Sequence, residues 1–394
     1  MLRSRKMTLL KDHFYMNELT VIPLCARNCD QCDSDDFELL WYYKHQTKTR
    51  HKRWVFDVKN VICKNCGFIF TSPSLDNRYL MNYYADSFSK FQEQRLDYDV
   101  AKRLEVIEKF CLVRKLFLEI GANIKTDFHR KIDSIFETVI TIEPNDETPG
   151  NHENIDNINS KCNCIAHYFV LEHVPNIPDF LIFCSDRLEA GGIMICEVPA
   201  LEKYSSFISP LLLFEHVNHF TPNSLQCIAQ KFGFTEIFTS QEMCSRPFGF
   251  VSVFQKTQGE LKEFNDYQKN KQLFREGEIA AKELFEKIAL IQQVIPRNPS
   301  KKIIIWAANE TTNRLLTDFS LHENVFIVDS DSRKKDYFDP LYKVYQPTEA
   351  ETMIRESEII VICTELHASD IINFLETTYS KKYSPENIYI IDKI

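Results

Sequence analysis

One stretch, Leu116 to Pro199, constrains the fold of this chain more than any other. It opens with KLFLEIGANIKTDF, where the apolar run Phe117 to Ile120 meets a single glycine, Gly121, and then Asn123. A buried parallel strand ends this way when the next turn must bring backbone close to a ligand. A second apolar run, Thr138 to Ile142, ends in an acid, Glu143. Strand, glycine turn, helix, and strand with a terminal carboxylate make up the nucleoside-binding half of a doubly wound sheet, because a carboxylate there can bind both ribose hydroxyls. A third unit follows: strand Cys164 to Phe169, then VLEHVPNIPDF, then LEAGGIMICEVP, where Gly191 and Gly192 turn a helix into the strand Ile193 to Val198. The pattern predicts an α/β fold. Taken alone it also fits a purely structural α/β core.

At 394 residues, with 44% apolar and 12% aromatic side chains, the chain is long enough for two or three domains and reads as globular. A net charge of −9 argues against a general nucleic-acid binder, which would show a basic face. The opening MLRSRK is basic but no apolar continuation follows, so no secretory signal is expected. No run of about 18 apolar residues is present, and a soluble protein without a membrane span is expected. Thirteen cysteines, an odd number and mostly scattered, fit a reducing cytoplasm better than a disulfide framework.

Cys29-x-x-Cys32 and Cys63-x-x-Cys66 are the exception to that scatter. Each pair places two thiolates on one tight turn, so that four sulfurs can meet a zinc ion tetrahedrally. Gly67 follows the second pair directly, and the strand Phe68 to Thr71 leads away. Cys25 is spare on this reading, or takes the place of Cys29 with a wider spacing. Four thiolates leave no open coordination position, so the metal would be structural.

The combination of LEIGAN, IEPND, LEHVPN, LEAGGIMICEVP and FEHVNHFTPNSLQCIAQKFGF resembles the class I S-adenosylmethionine-dependent methyltransferases that carry an N-terminal zinc module, many of them sugar C-methyltransferases. The resemblance runs from about Cys29 to Lys256, with a weaker echo to the C-terminus. It implies an N-terminal tail and zinc-binding module over residues 1–76, a helical linker over 77–115, a Rossmann-like methyltransferase sheet with an antiparallel closing hairpin over 116–256, a helical connector over 257–298 and a C-terminal Rossmann-like α/β domain over 299–394. Within the linker, Tyr83 and Tyr84 resemble the tyrosine-rich segment of the family, and equally fit a packing role.

The implied cofactor is S-adenosylmethionine, with Glu119 ordering the glycine loop, Gly121 and Asn123 near the methionine part, Glu143 on the ribose and Phe169 completing the set. The family places a further acid and glycine after the asparagine, where this chain has Ile124 and Lys125. Chemistry is expected from SPLLLFEHVNHFTPNSL, which reads as a loop leading to a helix from Ser224 to Lys231. Methyl transfer is an in-line displacement that needs near-attack geometry and, where the nucleophile is protonated, a base. Histidine titrates near neutrality and an adjacent carboxylate can orient it. The resemblance places the base in the Glu215–His216 pair, with His219 in reserve. The tyrosine common two residues before that glutamate is Leu213 here. His173, in LEHVPN, is expected only to border the pocket.

Strands at Glu236 to Thr239 and Phe248 to Gln255 are expected to close the sheet, followed by a charged helix from Gly259 to Val294 with Leu284, Ile288, Ile291 and Val294 on one face, ended by Pro296 and Pro299. The last domain has strand ends at Asp329 and Asp331, but Ala307 and Ala308 stand where phosphate would need a glycine. A dinucleotide is not expected there. Two functions remain: methylation of a sugar, most plausibly nucleotide-linked, and a non-catalytic relative that keeps the fold for binding or assembly. A nicotinamide-dependent dehydrogenase is disfavoured, since neither unit has G-x-G-x-x-G.

Overall fold

The computed structural model describes residues 19–21, 24–48, 53–75, 78–80, 98–122, 126–143, 160–257, 259, 261–263, 265–316, 323–336, 342–364 and 367–391. Asn123, Tyr83 and Tyr84 lie outside these residues.

The N-terminal region holds β1 (Leu19–Val21), β2 (Leu24–Cys25), β3 (Phe37–Lys48), β4 (Arg53–Cys63), β5 (Ile69–Thr71) and β6 (Ser74–Leu75). A long antiparallel hairpin, β3 with β4, carries β1 and β5 on the other edge of β4, and β2 pairs with β6. The cysteine pairs lie at the ends of this hairpin, Cys29 and Cys32 before β3, Cys63 and Cys66 at the end of β4 and in the following turn.

The central region follows as α1 (Val100–Phe110), β7 (Leu116–Ile120), α2 (Asp127–Ile132), β8 (Thr138–Ile142), β9 (Cys162–Tyr168), α3 (Ile177–Arg187), β10 (Leu188–Pro199), α4 (Ser209–Leu212), β11 (Asn218–His219), α5 (Pro222–Gln230), β12 (Phe234–Ser240) and β13 (Gly249–Lys256). Its sheet runs β12-β13-β10-β9-β7-β8; β8, β7, β9 and β10 are parallel, and β13 and β12 close it antiparallel. The parallel strands are apolar on both faces, as a sheet covered by helices on both sides requires. Helix starts follow their caps. Asp99 accepts from the amides of Ala101 and Lys102 at 2.9 and 3.3 Å, and Thr221 forms a capping box with Ser224, which starts α5 at Pro222 rather than Ser224.

Two sequence expectations change here. β10 begins at Leu188, not Ile193, because Gly191 takes a left-handed φ of +75° and lets the chain shift register within the strand. The segment around Glu215 is not simply a loop: Asn218 and His219 pair antiparallel with Phe70 and Ile69, covering the otherwise open edge of β5. The N-terminal and central regions thereby share one core, in which Phe68, Phe70 and the paired cysteines Cys29, Cys63 and Cys66 pack with Leu118, Leu171 and Phe220.

Helix α6 (Tyr267–Arg297) starts later than Gly259, because the chain before it is tied to α5 through the Lys262 amide and Gln230 Oε1 at 2.8 Å. Pro296 stands inside its last turn. Gly67 lets the start of this helix press on the second cysteine turn: a Cβ there would meet the Tyr267 nitrogen at 2.5 Å. The last region comprises β14 (Ile303–Trp306), α7 (Glu310–Leu316), β15 (Val325–Val328), β16 (Val344–Tyr345), α8 (Glu351–Glu356), β17 (Ile359–Ile362), α9 (Ala368–Tyr379) and β18 (Ile388–Ile390), with a parallel sheet ordered β16-β15-β14-β17-β18. Asp329 turns inward, accepting from the Ala308 amide at 2.7 Å and pairing with Lys334 at 3.0 Å, so this carboxylate braces its own turn. No helix among the described residues is long and apolar enough to cross a membrane.

Candidate functional site

At the C-terminal end of β7, Gly121 has φ +72°, and a Cβ there would lie 2.5 Å from Val170 Cγ2. Only glycine lets the two strand ends approach so closely. Glu119, buried just before it, lies 3.1 Å from His129 Nε2. His129 Nδ1 accepts the Thr126 amide at 2.9 Å, which places the ring proton on Nε2 facing the carboxylate. Glu119 thus lies against the first turn of α2. Glu143 follows β8 directly, next to the Ile142 carbonyl that accepts from the Gly121 and Ala122 amides.

Phe169 ends β9 in a left-handed conformation, φ +58°, held by its amide on the Glu197 carbonyl at 2.7 Å. Its ring packs on Phe248 and under the Arg246 guanidinium. Beside it, Arg103 is buried between the rings of Tyr98 and Tyr168, 3.9 and 3.8 Å from their centroids, and bonds Glu197 Oε2 at 3.1 Å. Glu197 also accepts from the Ser245 amide and hydroxyl. Sequence reasoning missed Arg103, which carries no motif, and Glu197, which lies within LEAGGIMICEVP but was given no role; the two meet only through the fold.

Two residues beyond Val170, a short turn carries Glu172 and His173 to face His216. Ligand atoms of the three lie within 4.8 Å of one another. Glu172 is 1% exposed, and apart from its own backbone amide its carboxyl oxygens have no hydrogen-bond partner among the described residues. Burial pushes its carboxyl up to about 8. His216, 7% exposed, keeps Nδ1 without a partner while its ring bonds the Pro210 carbonyl. Burial, with His173 and His219 nearby, holds it well below the usual histidine range. His173 bonds the Glu215 carbonyl, has Nε2 3.8 Å from Glu172 Oε1, and is pushed down to about 4 by burial. All three are therefore uncharged near neutral pH.

The structure thus brings His216 and His173 together and sets Glu172, not Glu215, as the carboxyl group beside them. The signal that could have found Glu172 is the doubled Glu-His-Val of LEHVPN and FEHVNH. Glu215 contributes its backbone carbonyl to His173. His219 points elsewhere: Nδ1 lies 2.8 Å from the Tyr204 hydroxyl and Nε2 3.2 Å from Asn60 Oδ1, tying the segment to β4. Asn218 donates to the Leu171 and Val174 carbonyls at 2.9 and 2.7 Å, and accepts from Arg27 at 2.6 Å. Arg27 also pairs with Asp30, between the first two cysteines, at 3.0 Å. A continuous chain of contacts therefore runs from the cysteine turn to the Glu172–His173 turn.

The four sulfurs of Cys29, Cys32, Cys63 and Cys66 also lie within 4.8 Å of one another, with Cys29 to Cys66 at 3.5 Å and Cys32 to Cys63 at 3.4 Å. A tetrahedron with Zn–S of about 2.3 Å has edges of about 3.8 Å, so the donor set fits a zinc ion after a small expansion. Cys25, exposed on β2, is not part of the group.

Residues 91–237 match the family described as "Methyltransferase domain". The protein carries a methyltransferase domain and is an enzyme of that class, for which S-adenosylmethionine is the methyl donor. Similar solved structures include an S-adenosylmethionine-dependent methyltransferase from Archaeoglobus fulgidus (14% identity, 46% of this chain and 100% of that one, TM-score 0.35). Others are one from Clostridium acetobutylicum (10% identity, 46% and 98%, TM-score 0.35) and the CcbJ methyltransferase from Streptomyces caelestis (13% identity, 44% and 98%, TM-score 0.35). No curated protein matches the chain. The family match over the central region, rather than these distant likenesses, carries the assignment.

Proposed function

We propose that the protein methylates a sugar, most plausibly nucleotide-linked, with His216 as the base and a structural zinc held by Cys29, Cys32, Cys63 and Cys66. The observation that carries this reading is the bare Nδ1 of His216, buried beside Glu172 and His173 on the turn that follows the cofactor glycine's contact with Val170. S-adenosylmethionine, when bound, supplies a methyl group on a sulfonium. Gly121 gives the close backbone approach for its methionine part, Glu143 is positioned for the ribose hydroxyls, and Glu119 and Phe169 brace the two strand ends. Asn123, outside the described residues, belongs to the same loop.

The Pro210 carbonyl fixes the tautomer of His216, so its lone pair faces the cluster and can take a proton from the acceptor. Burial keeps His216 uncharged near neutral pH, and the same burial weakens it as a proton acceptor. The roles sketched for Glu215 and His219 become positional: both hold the segment that carries His216. The sequence resemblance to sugar C-methyltransferases supports the acceptor class, and the reduced cysteines fit a cytoplasmic setting. Proton removal next to a keto-sugar carbonyl yields the enolate needed for C-methylation, whereas O-methylation requires only a hydroxyl deprotonated.

Candidate nucleotide-linked keto-sugars incubated with the protein in heavy water should exchange the proton next to the carbonyl. Loss of this exchange in His216→Ala supports C-methylation with His216 as base. Undiminished exchange and turnover in that variant would refute the assignment.

A further inference from the structure

We propose that Glu172, His173 and His216 form a second metal site, separate from the four cysteines, that takes a divalent transition ion of the zinc class and thereby switches the enzyme off. The inhibition half of this inference rests on His216 being the base.

Two imidazoles and one carboxyl group offer ligand atoms within 4.8 Å of one another, close enough for one ion to gather them with small side-chain shifts. Each histidine ring also bonds a backbone carbonyl, Glu215 for His173 and Pro210 for His216. That is the outer support that ligating histidines use to fix tautomer and ring direction. It leaves Nδ1 of His216 bare and directs Nε2 of His173 toward Glu172. Both Glu172 oxygens lack an outside partner; Glu172 and His216 are buried, and His173 at 21% side-chain exposure gives an ion its way in.

Buried lone pairs facing one another are costly, and a single proton can bridge only one pair of them. A divalent ion can satisfy all three groups. The donor set selects the ion: imidazole nitrogens favour Zn²⁺, Co²⁺ or Ni²⁺, while Mg²⁺ and Ca²⁺ prefer oxygens. Three protein ligands leave at least one position open, unlike the closed cysteine site. Binding occupies the Nδ1 lone pair of His216, so the base has nothing left to accept a proton. Arg246, close enough to disfavour the charged histidines, opposes a cation here as well, so the four thiolates fill first.

The test uses the full-length protein with one equivalent of zinc already in the cysteine site. Titration with Co²⁺ should show a second equivalent whose visible spectrum lacks thiolate-to-metal charge transfer, and Zn²⁺ should compete for it. Glu172→Gln and His173→Ala should each lose the second equivalent while keeping the first and keeping S-adenosylmethionine binding, which shows that they are folded. Turnover of the unmodified protein should fall at least tenfold on filling the second site and recover with a mild chelator. Absence of a second equivalent, or its survival in both variants, overturns the site and leaves the base assignment standing. A filled second site with unchanged turnover overturns the inhibition and the His216 base together.

Discussion

The base role proposed for His216 depends on the Pro210 carbonyl holding its proton on the far nitrogen. Replacing His216 with alanine should lower turnover by about 100- to 10,000-fold, the usual worth of general acid–base assistance, with S-adenosylmethionine affinity unchanged. Steady-state rates paired with calorimetry separate the two effects, and a variant that turns over normally contradicts the assignment. His167 offers a contrasting case. It is fully buried in β9 against Phe180, and neither ring nitrogen has a partner among the described residues. A buried polar group left unsatisfied costs about 1–3 kcal/mol, so His167→Leu should raise stability in denaturant melts, and a loss of more than about 1 kcal/mol would show that the imidazole is satisfied after all. Nothing in the chain's periodicity distinguishes these two histidines. One faces a cluster assembled from two distant turns and the other faces a helix, a difference that appears only once the sheet is folded.

At the scale of elements, much was legible and the reason is physical. Buried parallel strands are unbroken apolar runs, so β7 and β8 stand out, the latter with its expected ends at Thr138 and Ile142. The convergence of the paired cysteine turns was equally legible from their spacing, and the four sulfurs do come within 4.8 Å of one another. The two-residue strand β11 was not, since Asn218 and His219 have no strand propensity and pair only because β5 presents an open edge. Its consequence is the contact chain from Arg27 through Asn218 to the Leu171 and Val174 carbonyls. The cysteine turn is thereby linked to the Glu172–His173 turn. Asn218→Ala should cut turnover by about 100-fold, the effect of a roughly 1 Å misplacement of reacting groups, while S-adenosylmethionine still binds. Removing zinc with a strong chelator should do the same or worse. Elemental analysis finding no zinc in the purified protein, or full activity of the Asn218 variant, would sever that link.

For the whole molecule, the buried histidines couple stability to pH. Burial pushes His167 and His219 down to about 3, whereas in the unfolded chain both return to about 6.5. Below about 6.5 the unfolded state therefore binds more protons than the native one, and stability is lost progressively as pH falls toward about 3. The contribution is fully present above about 6.5. Denaturant midpoints should decline on the acid side of neutrality, and His167→Leu should flatten that decline; a midpoint constant from about pH 7 down to about pH 4 would contradict the buried neutral state.

The central claim is that a methyl donor binds at the C-terminal ends of β7 and β8 even though Ile124 and Lys125 replace the usual acid and glycine of the loop. Titration calorimetry with S-adenosylmethionine tests it most directly. One molecule should bind per chain, and Glu143→Ala should weaken that binding by about 1–3 kcal/mol through the lost charged hydrogen bonds to the ribose. No binding to the unmodified protein, or binding untouched by the Glu143 change, would contradict it.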